Sequence, residues 1–97
     1  MRVIAKKILR DFWEKQSDSK EQLKTWFKES SKANWKSPND IKNEYPKASI
    51  LKNGRVVFNI CGNKYRLIVL VNYTRQWVFI RFIGTHNQYD NIKAETI

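Results

Sequence analysis

The sequence predicts an α+β domain, with helices in the first half and strands after them. Three observations carry this. Apolar residues recur at helical spacing through the first third of the chain, whereas β-branched and aromatic residues crowd Arg55–Ile83. The 97 residues include only three glycines and two prolines, too few for a flexible linker between domains. A chain this short buries only about 60–65% of its unfolded surface, so one small core spanning residues 1–97 is expected.

Arg2-Val3-Ile4 reads as a short opening strand. From Ala5 the pattern turns helical: Ile8, Leu9, Phe12 and Trp13 make one apolar stripe, and Lys6, Lys7, Arg10 and Lys15 lie mostly off it. Gln16–Ser19 breaks this helix. Ser19 suits an N-cap, with Glu21 in the turn that follows. A second helix is expected from Lys20 to about Asn34, burying Leu23, Trp26, Phe27 and Ser30. The short linker predicts an antiparallel helical hairpin. Aromatic residues at helical spacing are read as core, in preference to base-stacking platforms.

Ser37-Pro38 combines an N-cap with proline at the first helical position, so a short helical turn should run to about Asn43. Pro46 stops it, because Tyr45 before a proline is pushed out of the helical region. Asn53-Gly54 marks a tight turn. Strands are expected over Arg55–Ile60, Lys64–Tyr73 and Gln76–Ile83, with Cys61-Gly62-Asn63 and Thr74-Arg75 as the turns between them. Leu67–Leu70 is apolar on both faces, so the long strands should be central or covered by the helices. Gly84 ends the last strand. Thr85 and Gln88 fit a capping box, which starts a short helix at about His86. Lys93–Ile97 reads as a frayed end.

Nineteen Lys and Arg stand against nine Asp and Glu, a formal net charge of +10. That excess suits nucleic acid, an acidic protein or an anionic surface, the plain alternative being a well-solvated exterior. The single cysteine, Cys61, excludes an internal disulfide, and one cysteine with one histidine offers little to a metal. A reducing cytoplasm is the natural compartment. MRVIAKKILRDFW has no apolar run suited to a signal peptide or membrane span, so no membrane partner is expected. The chain has no Walker loop, HExxH, GxSxG or CxxC, and neither metal nor cofactor is expected.

Two groups of residues carry candidate chemistry. Arg66 and Arg81 each interrupt an apolar strand, and a guanidinium cannot be buried without a partner. If the hairpin turns near Thr74-Arg75, they approach one another across it. A phosphate held in their forks is favoured over two separate salt bridges, although a slip of one residue decides whether they share a face. His86, Tyr89 and Asp90 fall at i, i+3 and i+4, on one face of the last helix, near free N–H groups that favour an anion. Histidine's reference pKa of about 6.5 suits proton transfer. Asp90 could orient His86 or pair with a lysine, and Tyr89 could donate a proton or stack a base. Lys52, Arg55, Lys64 and Arg75 extend the supply of cations as phosphate-positioning groups. Together these residues suit RNA cleavage without a metal. The substrate's own 2′-hydroxyl attacks the adjacent phosphate, cations neutralise the crowded phosphorus, and His86 or Tyr89 moves protons. DNA lacks that hydroxyl and would be spared.

The runs RVVFNICGNKYRLIVLVNY and VFIRFIGTHNQYDNI resemble the HigB toxins, a branch of the RelE/ParE superfamily of bacterial toxin–antitoxin systems. The resemblance covers most of the chain and is strongest over Arg55–Ile92. It implies a RelE-like fold: two N-terminal helices packed on a small antiparallel β-sheet, with a short C-terminal helix. It also implies an mRNA interferase acting on messages in the ribosomal A site. Its partners would be a HigA-like helix-turn-helix antitoxin and, through their complex, operator DNA. Carried over by position, the catalytic set would be Lys64, Arg66, Arg81, His86 and Tyr89. A non-catalytic basic RNA- or DNA-binding module and a ParE-like gyrase poison are the alternatives.

Overall fold

In the computed structural model, which describes Met1–Ile97, every expected element is present. A short strand β1 (Arg2–Ile4) leads into helix α1 (Lys6–Lys15), a 3₁₀ turn (Ser17–Ser19) and helix α2 (Lys20–Lys32). Helix α3 (Pro38–Glu44) and a two-residue strand β2 (Ser49–Ile50) follow. Strands β3 (Arg55–Ile60), β4 (Tyr65–Asn72) and β5 (Trp77–Thr85) form an antiparallel meander that ends in helix α4 (His86–Asp90). The sheet order is β1-β5-β4-β3-β2. β3, β4 and β5 pair antiparallel as expected and β2, outside the expected strands, joins them antiparallel, but β1 joins β5 in parallel, with Val3 opposite Val78, so the sheet is mixed.

Alternation along the strands decides which residues meet the helices. Val56, Phe58 and Ile60 of β3, Leu67, Val69 and Val71 of β4, and Val78 and Ile80 of β5 point to one face. Leu9 and Trp13 of α1, Leu23 and Trp26 of α2, and Ile41 of α3 close over them as one core. Trp26 packs edge-on to Phe58, with ring centroids 5.3 Å apart. Trp13 and Trp26 are thus core residues, unavailable to a base, and truncating Trp26 to alanine would cost about 3–5 kcal/mol.

Several local expectations are corrected. Ser19 does not cap α2 with its side chain: the linker coils into the 3₁₀ turn, and the buried Ser19 hydroxyl donates back to the Gln16 carbonyl at 2.7 Å. β5 runs past Gly84 to Thr85, because Gly84 still pairs with Arg66 and Thr85 with Tyr65. The C-terminal segment is not frayed. Asn53 Nδ2 donates to the Glu95 carbonyl (3.3 Å), and Arg55 Nη2 to the Ile97 carbonyl (2.9 Å). The final residues are therefore fastened to the sheet.

A cationic edge where β4 and β5 meet the last helix

The β4–β5 hairpin contains a bulge. Ile68 pairs with Phe82 and Val69 with Ile80, so Arg81 is the extra residue. Without the bulge, the register counted from the hairpin tip would bring Arg66 and Arg81 closer together. With it, the residue opposite Arg66 is Gly84, which has no side chain to crowd the guanidinium. Arg66 Nη1 donates to the carbonyls of Asn63 (2.9 Å) and Tyr65 (3.4 Å), leaving Nε and Nη2 without an acceptor in the chain. Its guanidinium carbon lies 5.8 Å from the Tyr89 ring centroid, a cation–π contact between sheet and helix.

Helix α4 is held by the expected capping box. Thr85 Oγ1 accepts from the Gln88 N–H (3.2 Å), and Gln88 Oε1 accepts from the Thr85 N–H (2.9 Å). The His86 N–H donates to the Lys64 carbonyl at 3.2 Å. These bonds occupy N–H groups that were expected to be free for an anion. His86 Nε2 lies 3.5 Å from Asp90 Oδ2, one turn along, and both side chains are more than half exposed. Arg66, Tyr89, His86 and Asp90 therefore gather at one end of the hairpin.

Lys64 sits beside this group, just before β4. Its ammonium pairs with Asp18 in the 3₁₀ turn and lies 5.4 Å from the Tyr65 ring centroid. The same carboxylate accepts the Tyr65 hydroxyl at 2.7 Å. The Lys64 hydrogen bond, and then that from Tyr65, hold the Asp18 carboxyl below its usual range. The Asp18 hydrogen bond in turn pushes the Lys64 ammonium pKa up. Nothing in the local sequence marks Asp18 as a partner, because 46 residues separate it from Lys64.

The remaining candidate cations do not join the group. Arg81 Nε donates to the Ile97 carbonyl (3.2 Å), the oxygen that also receives Arg55. Arg75 lies at the hairpin tip, 5.4 Å from the Trp77 ring centroid. The eight residues of β4 separate that tip from α4 by roughly 26 Å at strand rise. Lys52 is in the turn before β3, where its carbonyl accepts from the Arg55 N–H at 3.3 Å. No three His, Cys, Asp or Glu side chains converge to hold a metal ion.

Comparison with known proteins gives this architecture a class. Residues 19–92 match a family model described as the RelE-like toxic component of a toxin–antitoxin system. The chain belongs to that family, the HigB toxins. It is 32% identical over 96 residues, covering 97% of this chain and 92% of the relative, to the mRNA interferase toxin HigB of Escherichia coli K12. The same identity and coverage hold for the mRNA interferase HigB of Escherichia coli O157:H7 and that of Shigella flexneri.

Proposed function

We propose that the chain is an mRNA interferase, the toxin of a type II toxin–antitoxin system, which cleaves messages on the translating ribosome in the cytoplasm. The relatives carry the interferase name, and the observation that carries the site is the Arg66 guanidinium, two of its nitrogens unoccupied, stacked beside Tyr89 and close to the His86–Asp90 pair. In this reading Arg66, with Lys64 beside it, neutralises the scissile phosphate. A base removes the 2′-hydroxyl proton as that oxygen attacks phosphorus. The bond to the 5′-oxygen breaks, and an acid protonates the leaving oxygen. His86 and Tyr89 supply these two proton transfers, and no metal takes part. The products are a 2′,3′-cyclic phosphate and a 5′-hydroxyl. Arg81 and Arg55 serve the substrate more remotely, and Lys52 and Arg75 at longer range through charge.

The cognate partner in this reading is a HigA-like helix-turn-helix antitoxin, and the complex of the two binds operator DNA. No helix is long and apolar enough to cross a membrane. The test is induction in a bacterial cell with mapping of new mRNA 5′ ends. Cuts inside translated codons, lost in the Arg66→Ala, His86→Ala double variant, are expected. Growth arrest with intact mRNA and broken DNA would instead mean a gyrase poison.

A further inference from the structure

The β3 edge opens into a cleft of about 480 Å³ between α2 and the Glu44–Ala48 segment, large enough to hold side chains of a bound segment. Tyr45 and Pro46 give it apolar surface, over a floor of the buried Trp26, Phe58 and Ile60. β2 covers only Val56 and Val57, so no strand pairs with Phe58–Ile60 on this side. Alternate residues of an antiparallel strand turn both backbone groups the same way. The Leu51 N–H bonds the Arg55 carbonyl (2.9 Å), so Arg55, Val57 and Asn59 all face this edge. The N–H and C=O of Asn59 therefore look into the cleft with no strand to receive them. Two residues further on, the Cys61 N–H is taken by Gln22 Oε1 of α2 at 2.6 Å, a side chain standing in for a missing strand. The buried indole N–H of Trp26 has no acceptor in the chain.

The electrostatics of the cleft run against those of the molecule. The chain carries +10 overall, yet Glu29 and Glu44 line this cleft against Lys47 alone. Each carboxylate gives one oxygen to the chain, Glu29 to the Tyr45 hydroxyl (2.6 Å) and Glu44 to Trp35 Nε1 (2.8 Å). The other oxygens can receive a cation. A nucleic acid would be repelled here, and a second copy of so basic a chain would be repelled as a whole.

We infer that the cleft receives an extended segment of the antitoxin. The segment adds a strand to the β3 edge at Asn59, seats an apolar side chain against Tyr45 and Pro46, and turns a lysine or arginine toward Glu29 and Glu44. This rests on membership of a toxin–antitoxin family, because the antitoxin is the polypeptide such a toxin meets. The occupant is thus defined by three features: an open strand edge to pair with, an apolar cavity to fill and two carboxylates to match.

Amide hydrogen exchange on the toxin–antitoxin complex, expressed from the natural operon, is compared with exchange on the free chain. The Asn59 amide should exchange at least tenfold more slowly in the complex. Two variants probe the same surface. Asn59→Pro removes only the edge-facing donor, a change that edge strands tolerate. Thr25→Trp fills the mouth of the cleft from an exposed position on α2. Each should weaken the complex at least tenfold, while the free variant keeps a wild-type circular dichroism spectrum and wild-type growth arrest. Unchanged Asn59 exchange, with Thr25→Trp binding within twofold of wild type, overturns the inference. Dimerisation of the free chain that Thr25→Trp abolishes overturns it in favour of a second copy. If the complex protects Asn59 but the free chain leaves mRNA intact, the cleft assignment stands and the interferase reading falls.

Discussion

The guanidinium of Arg66 lies over the Tyr89 ring, 5.8 Å from its centroid, and so ties the sheet to the last helix. The hydroxyl and the ring of Tyr89 have separable roles. Tyr89→Phe keeps the platform and should slow cleavage about 10²-fold, the lower end of what a positioned proton donor or acceptor contributes. Tyr89→Ala also frees Arg66 and should weaken binding of the message. Single-turnover cleavage of ribosome-bound mRNA, with affinity measured separately, distinguishes the two losses.

Gly84 is small for two neighbours at once. A Cβ built there would lie 2.6 Å from both Gln88 Oε1 and Phe82 Cζ. Gly84→Ala should push Gln88 out of its capping bonds, costing about 1 kcal/mol. For a domain of this size that is a fall of about 4–8 °C in Tm. Calorimetry reads the stability, and cleavage should fall further than the stability loss explains, because α4 carries Tyr89 and His86.

His86 and Asp90 separate function from stability. Both side chains are more than half exposed, so His86→Gln and Asp90→Asn should each change stability by less than about 0.5 kcal/mol. On the interferase reading, His86→Gln nevertheless lowers cleavage about 10²–10⁴-fold. Asp90→Asn, which loses only the orienting partner, lowers it less. Denaturant midpoints alongside cleavage rates check the pair.

Asp18 predicts a pH dependence with two limbs. Its carboxyl, held below the usual 3.8 by Lys64 and then Tyr65, gives up its proton more readily in the folded chain than in the unfolded one. The resulting stabilisation is complete above about pH 3.8 and is lost as pH falls through the lower folded-state value. Lys64 titrates the other way. Its value is raised above 10.5 by Asp18, so its contribution is intact below that pH and is lost as pH rises through the higher folded-state value. Asp18→Asn should flatten both limbs, as read by urea midpoints across pH.

Local signals in the sequence were reliable where local chemistry decided the outcome. Thr85 and Gln88 placed the start of α4, and Asn53-Gly54 turns as expected, with φ of 60° and 74°. The helical stripes marked Leu9, Trp13, Leu23 and Trp26 as core. Strand registers were harder to read, because pairing depends on partners far along the chain. The bulge at Arg81 has no signature in VFIRFIG, and Arg81 binds the Ile97 carbonyl instead of standing with Arg66. The Lys64–Asp18 pair and the open edge at Asn59 likewise follow only from topology. The His86, Tyr89 and Asp90 spacing was legible because a single helical turn sets it.

The parallel pairing of β1 with β5 has a consequence for synthesis. Arg2–Ile4 are made before Trp77–Phe79 and have no strand to pair with until those residues follow. The partly made polypeptide cannot complete its sheet, since contacts so distant along the chain form last. Docking of β1 on the outer side of β5 is thus the step that completes the five-stranded sheet.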